Sequence, residues 1–202
     1  SKIILAAGYN QTAGTESGGD VTLSSNITTS NTGTVTIFSG NTNTSTLNSK
    51  IAGATGVTKY KTYNVNKTAI SGARTGTRNF YYRRDPKLSI SGLTASKTYD
   101  GNTNASASLS GGTVLGNIDG DSYSLANLTR LSATYNSKNV GSRTLSATYT
   151  APAPTASSYS VSGYGVNAYS GTGTISKKTV SISGAKTYDG NTALTIGEVA
   201  IT

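Results

Sequence analysis

Seven consecutive residues of this chain occur twice. Lys97-Thr98-Tyr99-Asp100-Gly101-Asn102-Thr103 returns as Lys186-Thr187-Tyr188-Asp189-Gly190-Asn191-Thr192. Each copy follows a Ser-Ile-Ser-Gly leader, Ser89–Gly92 and Ser181–Gly184. The septets are offset by 89 residues and the leaders by 92. Eleven coincident positions at nearly one spacing are not chance in 202 residues. A fixed period of this size marks a tandem array of units that each fold as one block. One unit is complete, 87–177. A second begins at 178 and is cut off at 202, so the chain reads as a piece of a longer protein.

The units are expected to be built from strands. Ser, Thr, Asn and Gly make up about half of the chain, and only 34% is hydrophobic. Such a composition raises disorder. Against it stand 13 Tyr and short alternating runs of Val, Ile, Leu and Thr, all strand formers. No segment carries a sustained helical stripe, so the fold class is all-β. Leu131-Ser132-Ala133-Thr134-Tyr135 repeats as Leu145-Ser146-Ala147-Thr148-Tyr149. Each has one apolar and one polar face, and Asn136, Asn139 and Gly141 lie between, which predicts an antiparallel pair. Further strands are expected near Ser106–Leu109, Ser122–Leu125, Ser158–Val161 and Val166–Ile175. Ala151-Pro152-Ala153-Pro154 cannot continue a ladder and marks a connection.

Residues 1–58 differ. Ile3-Ile4-Leu5, Val21-Thr22-Leu23 and Val35-Thr36-Ile37 start 18 and 14 residues apart, with Gly and Asn between them. Their spacing fits successive coils of a parallel β-solenoid; an antiparallel sandwich is the alternative. Between the two regions, 59–86 is a basic and aromatic junction. The stretch Lys59–Lys87 holds eight of the chain's 17 Lys and Arg, with Asp85 as its one acid.

The leader and septet together resemble the YDG repeat of large bacterial exoproteins. That group includes filamentous-haemagglutinin-like and high-molecular-weight adhesins exported by two-partner secretion. Gly120-Asp121, Asn139-Val140-Gly141 and Tyr159-Ser160-Val161 match further elements of the repeat. Ile4–Gly8, Gly19–Leu23 and Gly33–Ile37 are similar to the last solenoid coils of those exoproteins, and Phe80–Pro86 to their aromatic-basic stretch. Ala151–Ser158 departs from the Gly/Asp-rich connection usual at that place. The resemblance implies β-grasp-like repeats and stalk or spacer duty at a Gram-negative outer cell surface. It also implies an outer-membrane secretion partner and a host or bacterial surface receptor. Self-association is a further expectation. The absence of Cys fits passage through a pore in unfolded form. The longest apolar run, Ile3–Ala7, is too short to span a bilayer.

Chemistry is limited by what the chain lacks. His and Cys are absent, which removes the imidazole acid or base, the thiol nucleophile and the usual zinc ligands. Glu16 and Asp20 are the only acids before Asp85, so the paired carboxylates of a glycosidase-type site are not expected in the first region. No enzyme activity and no cofactor are expected. Tyr99-Asp100-Gly101 and Tyr188-Asp189-Gly190 read as tight turns, with the Tyr ring packed in the core. Asn117, Asp119 and Asp121 open like a calcium loop, but Ser122 and Leu128 stand where Gly and Glu are needed. No metal is therefore expected there. Lys97 or Lys186 with a nearby Asn could form an isopeptide bond, yet the complete repeat has no Glu and only Asp100, Asp119 and Asp121 to shuttle protons. The main functional expectation is a non-catalytic stalk of an adhesin. The alternative is a glycan- or DNA-binding module using Tyr63, Arg78, Tyr81, Tyr82, Arg83 and Arg84, where charge attracts polyanions and rings stack on bases or sugars.

Overall fold

Short runs with period-two polarity become strands only where a neighbour covers them, and the neighbours here come from far along the chain. The computed structural model describes residues 1–30, 32–53, 57–151, 158–192 and the backbone of 199–201. Pro152–Pro154, read above as a connection, lie outside the described residues. The strands in chain order are β1 (Lys2–Ala6), β2 (Ile27–Thr28), β3 (Thr34–Ser39), β4 (Ile51–Ala52), β5 (Lys59–Thr62), β6 (Arg78–Tyr82) and β7 (Lys87–Thr98). They continue with β8 (Leu109–Leu115), β9 (Thr129–Tyr135), β10 (Gly141–Thr150), β11 (Ser160–Ser162), β12 (Gly165–Val166), β13 (Tyr169–Ser176), β14 (Ile182–Gly184) and β15 (Val199–Ile201). One short helix, α1 (Thr44–Ser49), and 3-10 turns at Lys67–Gly72, Ser106–Ser108 and Leu125–Asn127 complete the described secondary structure. The described chain is mostly strands, as an all-β reading requires.

Two main sheets result. The first has the order β1-β3-β6-β5-β11, every pair parallel. Leu5, Ile37, Phe80, Lys61 and Val161 stand in one row across it. All residues of β3 and β6 are buried, as expected of parallel strands covered on both faces. A smaller parallel pair, β2 with β4, joins Ile27 to Ile51. The second sheet runs β12-β7-β13-β10-β9, with β8 antiparallel to β7 on its other edge. β7 and β13 are parallel neighbours at its centre. A separate pair, β14 with β15, follows.

One apolar cluster runs through both sheets, including Val35, Ile37, Phe80 and Val161 from the first and Leu88, Leu93, Leu145 and Ile175 from the second. One strand also crosses between the two halves of the chain. β11 comes from the second half of the chain but closes the edge of the first sheet, with Ser160 beside Tyr60.

The structure corrects several sequence expectations. Val21–Leu23 is irregular backbone, so β1 pairs directly with β3, Ile3 against Val35. Ser106–Ser108 is a 3-10 turn and β8 starts only at Leu109. Ser122–Leu125 is not a strand, because the Asn127 side chain accepts from both Ser124 N–H and Ser124 Oγ at 2.9 Å and starts a 3-10 turn. The alternation of Leu131, Ala133 and Tyr135 places Leu131 on the inner face of β9. The register instead pairs Thr148 with Ser132 and Tyr149 with Arg130, so Leu131 bulges outward and is 64% exposed. Helix α1 was not anticipated, since its sequence, Thr-Ser-Thr-Leu-Asn-Ser, has no helical stripe beyond the buried Leu47.

Candidate functional site

The doubled septet folds into the same clasp both times. In the first, Lys97 Nζ reaches Asp100 Oδ1 at 2.7 Å and the Asn102 carbonyl and side-chain oxygens at 2.9 Å each. Asn102 N–H donates to Asp100 Oδ1 at 3.1 Å. In the second, Lys186 Nζ lies 2.9 Å from Asp189 Oδ2 and 2.6 Å from Asn191 Oδ1, and Asn191 N–H donates to Asp189 Oδ1 at 3.0 Å. Gly101 and Gly190 turn the chain at φ +80° and +83°, a region that favours glycine. In both copies the Lys hydrogen bond, followed by the backbone N–H of the Asn, holds the Asp carboxyl below the usual range. The Tyr of the motif does not pack in the core as expected: Tyr99 is 36% and Tyr188 93% exposed.

The chemistry that is buried lies elsewhere, where the two sheets meet. Lys61 on β5 is fully buried. Its ammonium pairs with two carboxylates, Asp121 Oδ1 at 2.6 Å and Asp119 Oδ2 at 3.2 Å, and donates a hydrogen bond to the Asp119 carbonyl at 2.9 Å. Both carboxylates sit on the loop between β8 and β9. That loop reverses tightly, with Asp119 at φ +53° and Gly120 at +73°, and so aims two side chains at one cation. Asp121 Oδ2 accepts from the Tyr63 hydroxyl at 2.6 Å and the Tyr164 hydroxyl at 3.0 Å. Asp119 accepts from Thr44 N–H at 3.1 Å and from the Thr44 hydroxyl. It thus satisfies the first amide of α1 from a distant part of the chain. Thr44 Oγ1 also lies 2.6 Å from Tyr82 Oη.

A cage of rings closes the cluster. Tyr63 stacks on Tyr82 at 5.7 Å and meets Tyr164 edge-on at 5.0 Å, and Tyr123 lies 5.0 Å from Tyr164. The Tyr159 ring faces Lys61 Nζ at 5.1 Å. Burial, then the bond to Asp121, pushes the Tyr63 hydroxyl far above the usual tyrosine range. Burial does the same to Tyr82 and Tyr164, and pushes Tyr123 up to about 12. All four stay protonated at neutral pH and can donate.

The calcium-like residues thus face a different partner. Asp119 and Asp121 do converge, but the cation between them is Lys61. Asn117 is spent locally, accepting from Tyr123 N–H at 2.8 Å and donating to the Tyr123 carbonyl at 3.2 Å. Among the described residues no group of three metal-ligating acids, His or Cys occurs.

The basic-aromatic residues are core, not surface. Tyr63, Arg78, Tyr81, Tyr82 and Arg83 are buried; Arg84 alone of the six is half-buried, beside Glu16 at 3.5 Å. Arg78 donates to Asn48 Oδ1 at 2.7 Å and the Gly53 carbonyl at 2.6 Å. Arg83 spends all five N–H donors on carbonyls: Thr15 at 2.9 Å, Ala7 at 2.6 Å, Gly8 at 3.2 Å, Ser17 at 3.0 Å and Gly19 at 3.1 Å. Its guanidinium lies over Phe38 at 5.4 Å. The side chain therefore folds the irregular 7–19 segment around itself. The expectation of an exposed polyanion surface is corrected by this placement, because buried guanidinium and ring groups cannot meet a polymer in solvent.

Sequence reasoning named Asp119, Asp121, Tyr63 and Tyr82 but for other roles, and it missed Lys61, Thr44 and Tyr164. The alternation Lys59, Lys61, Tyr63 does put Lys61 on the face of a Tyr destined for the core, which is the one available signal.

Compared with known proteins, residues 83–168 match the YDG domain family. A YDG domain is therefore present in that part of the chain, carrying the first clasp, both buried carboxylates, Tyr164 and strand β11. No curated protein and no solved structure matches the chain.

Proposed function

We propose that this chain is a non-catalytic stalk or spacer segment of a large secreted or cell-surface bacterial adhesin of the two-partner-secretion, filamentous-haemagglutinin-like kind, serving adhesion, aggregation or biofilm formation. In this reading 1–58 are the terminal coils of a β-solenoid and 59–86 cap them. Residues 87–177 are a β-grasp-like YDG repeat, and 178–202 open the next one. The chain path supports the coils. It passes β1, β2, β3, β4 in order, with β1 parallel to β3 and β2 parallel to β4, as two stacked turns of a coil would. The central parallel pairing of β7 with β13 supports a β-grasp-like repeat. The second clasp and the antiparallel pairing of β14, which carries the repeated Ile-Ser-Gly, with β15 support a second unit. The outer cell surface of a Gram-negative bacterium, an outer-membrane secretion partner and an unidentified surface receptor follow from the same reading.

The observation that carries it is the shared edge: β11, from within the YDG domain, closes the parallel sheet. A spacer must transmit force across its joints, and a joint with a common sheet and common core cannot act as a hinge. Pulling the chain by its two ends in single-molecule force spectroscopy tests this. Residues 1–176 are expected to unfold in one cooperative event. Yielding of 1–86 at low force, before the YDG domain, would remove the reading. The glycan- or DNA-binding alternative draws no support from the buried basic segment. Absence of salt-sensitive binding to heparin or single-stranded DNA is its expected result.

A further inference from the structure

From this geometry we infer that Lys61 and Asp121 form an intramolecular isopeptide bond, with Asp119 as the proton carrier and the Tyr63 and Tyr164 hydroxyls holding the developing oxyanion. The inference is independent of the spacer reading.

Four features converge. The amine and the carboxyl are already in contact, 2.6 Å from Lys61 Nζ to Asp121 Oδ1, and both side chains are at most 2% exposed. Fixed juxtaposition of this kind makes a bimolecular step effectively intramolecular. The other oxygen of the same carboxyl, Asp121 Oδ2, accepts two protonated phenols at 2.6 and 3.0 Å, the spacing of donors that stabilise a tetrahedral oxyanion. A second carboxylate, Asp119 Oδ2, lies 3.2 Å from the same ammonium, within reach to take a proton from it. Asp119 is itself fixed by Thr44 and sits at a left-handed φ of +53°, backbone strain of the kind stored where a side chain must be aimed.

The step balances without any further reagent. Lys61 gives up one proton to Asp119, which passes it to Asp121 Oδ1. Neutral Nζ attacks Asp121 Cγ, and the Nζ–Cγ bond forms as the charge moves to Oδ2 between the two phenols. Asp119 takes a second proton from nitrogen and delivers it to Oδ1. The Cγ–Oδ1 bond breaks and one water leaves. An ammonium and a carboxylate become a neutral amide, and Asp119 keeps its hydrogen bonds from the Thr44 N–H and hydroxyl. Asp121 rather than Asp119 is the acceptor because its carboxyl lies nearer the amine, 2.6 Å against 3.2 Å, and because two phenols polarise it. The bond ties β5 to the β8–β9 loop and locks the joint between the two sheets.

Intact-mass spectrometry of the folded full chain, kept at neutral pH and then denatured, decides the matter. The expected mass is one water below that of the sequence, and digestion should yield a branched peptide joining the segments that contain Lys61 and Asp121. The Asp-Gly pairs at 100, 119 and 189 can also lose water by closing to a succinimide, so Lys61→Arg is the control. This variant keeps the charge and is expected at full sequence mass. Asp119→Ala, checked for folding by circular dichroism, is expected to remain unlinked. Wild-type protein at full sequence mass, or a water loss that persists in Lys61→Arg, overturns the inference. A folded Asp119→Ala protein that links as fast as wild type overturns the role given to Asp119.

Discussion

At the junction, Lys61 meets Asp119 and Asp121 with side chains 2%, 7% and 1% exposed. In the septet, Lys97 meets Asp100, which is 46% exposed, at a comparable 2.7 Å. Distances alone would rank these contacts together. Their consequences differ, because water solvates the septet carboxylate if the Lys is removed and cannot reach the junction carboxylates. The junction therefore holds two distant parts of the chain in place, whereas the septet shapes seven neighbouring residues. The second septet makes the point from the other side. It keeps the clasp although Ile182 is 71% and Tyr188 93% exposed, so the clasp forms without either of these side chains being buried. What the second copy lacks is Leu93–Ser96, four residues between leader and septet, for which it has only Ala185. Leu93 and Ala95 are buried in the first copy, and they extend β7 into the long central strand.

The largest expected effect breaks the buried side of this comparison. Lys61→Ala leaves two carboxylates desolvated without a counter-charge and should cost about 3–5 kcal/mol, read as a lowered denaturation midpoint. A loss no greater than that of an exposed pair would mean that water enters the junction. Arg83→Ala comes next, at roughly 3 kcal/mol, since five carbonyls lose a charged donor but several lie close enough to solvent to recover one. Hydrogen exchange should show the loss concentrated in residues 7–19, with residues 87–168 unaffected.

Much of this division could be read in the sequence, and the reasons for the rest are physical. β1, β3, β9 and β10 were legible because each is a period-two run, and the pairing of β9 with β10 because the same five letters recur across a turn. The turn at each septet was legible because Asp-Gly chemistry is local. The junction was not. Lys61 and Asp119 are 58 residues apart, and a basic segment looks solvated until a distant loop supplies acids. The Lys and Arg of 59–87 carry their charge in the sequence, but their neighbours only in the fold. The spacing of Asn117, Asp119 and Asp121 resembles the opening of a calcium loop, but nothing in that spacing says that two of these three side chains meet a lysine from β5.

Glycine separates the two regions by a smaller effect. Gly163, at φ +92°, would place a Cβ 2.2 Å from the Tyr63 carbonyl oxygen, whereas Gly101, at +80°, has nothing within 4 Å. Gly101→Ala should therefore show only the backbone cost of a left-handed residue, about 1 kcal/mol. Gly163→Ala adds a clash with main chain at the joint and should exceed it clearly in thermal unfolding. Equal losses would mean that β11 and the end of β5 separate without penalty, which is incompatible with a rigid joint.

The smallest effect sharpens the exposed side. In both septets the Lys hydrogen bond lowers the Asp carboxyl below its usual range. A carboxyl lowered on folding favours the folded state above its unfolded pKa. That contribution disappears as pH falls through the lowered folded value. NMR titration of the side-chain carboxyls should show Asp100 and Asp189 both titrating below an ordinary Asp. Lys97→Met should return Asp100 most of the way, leaving the part due to the Asn102 N–H, and should leave Asp189 where it was. If Asp189 moved as well, the two clasps would be coupled through something other than their own seven residues, and the local reading of the repeat would be lost. If Asp100 titrated normally in the wild type, the clasp would not be closed in solution.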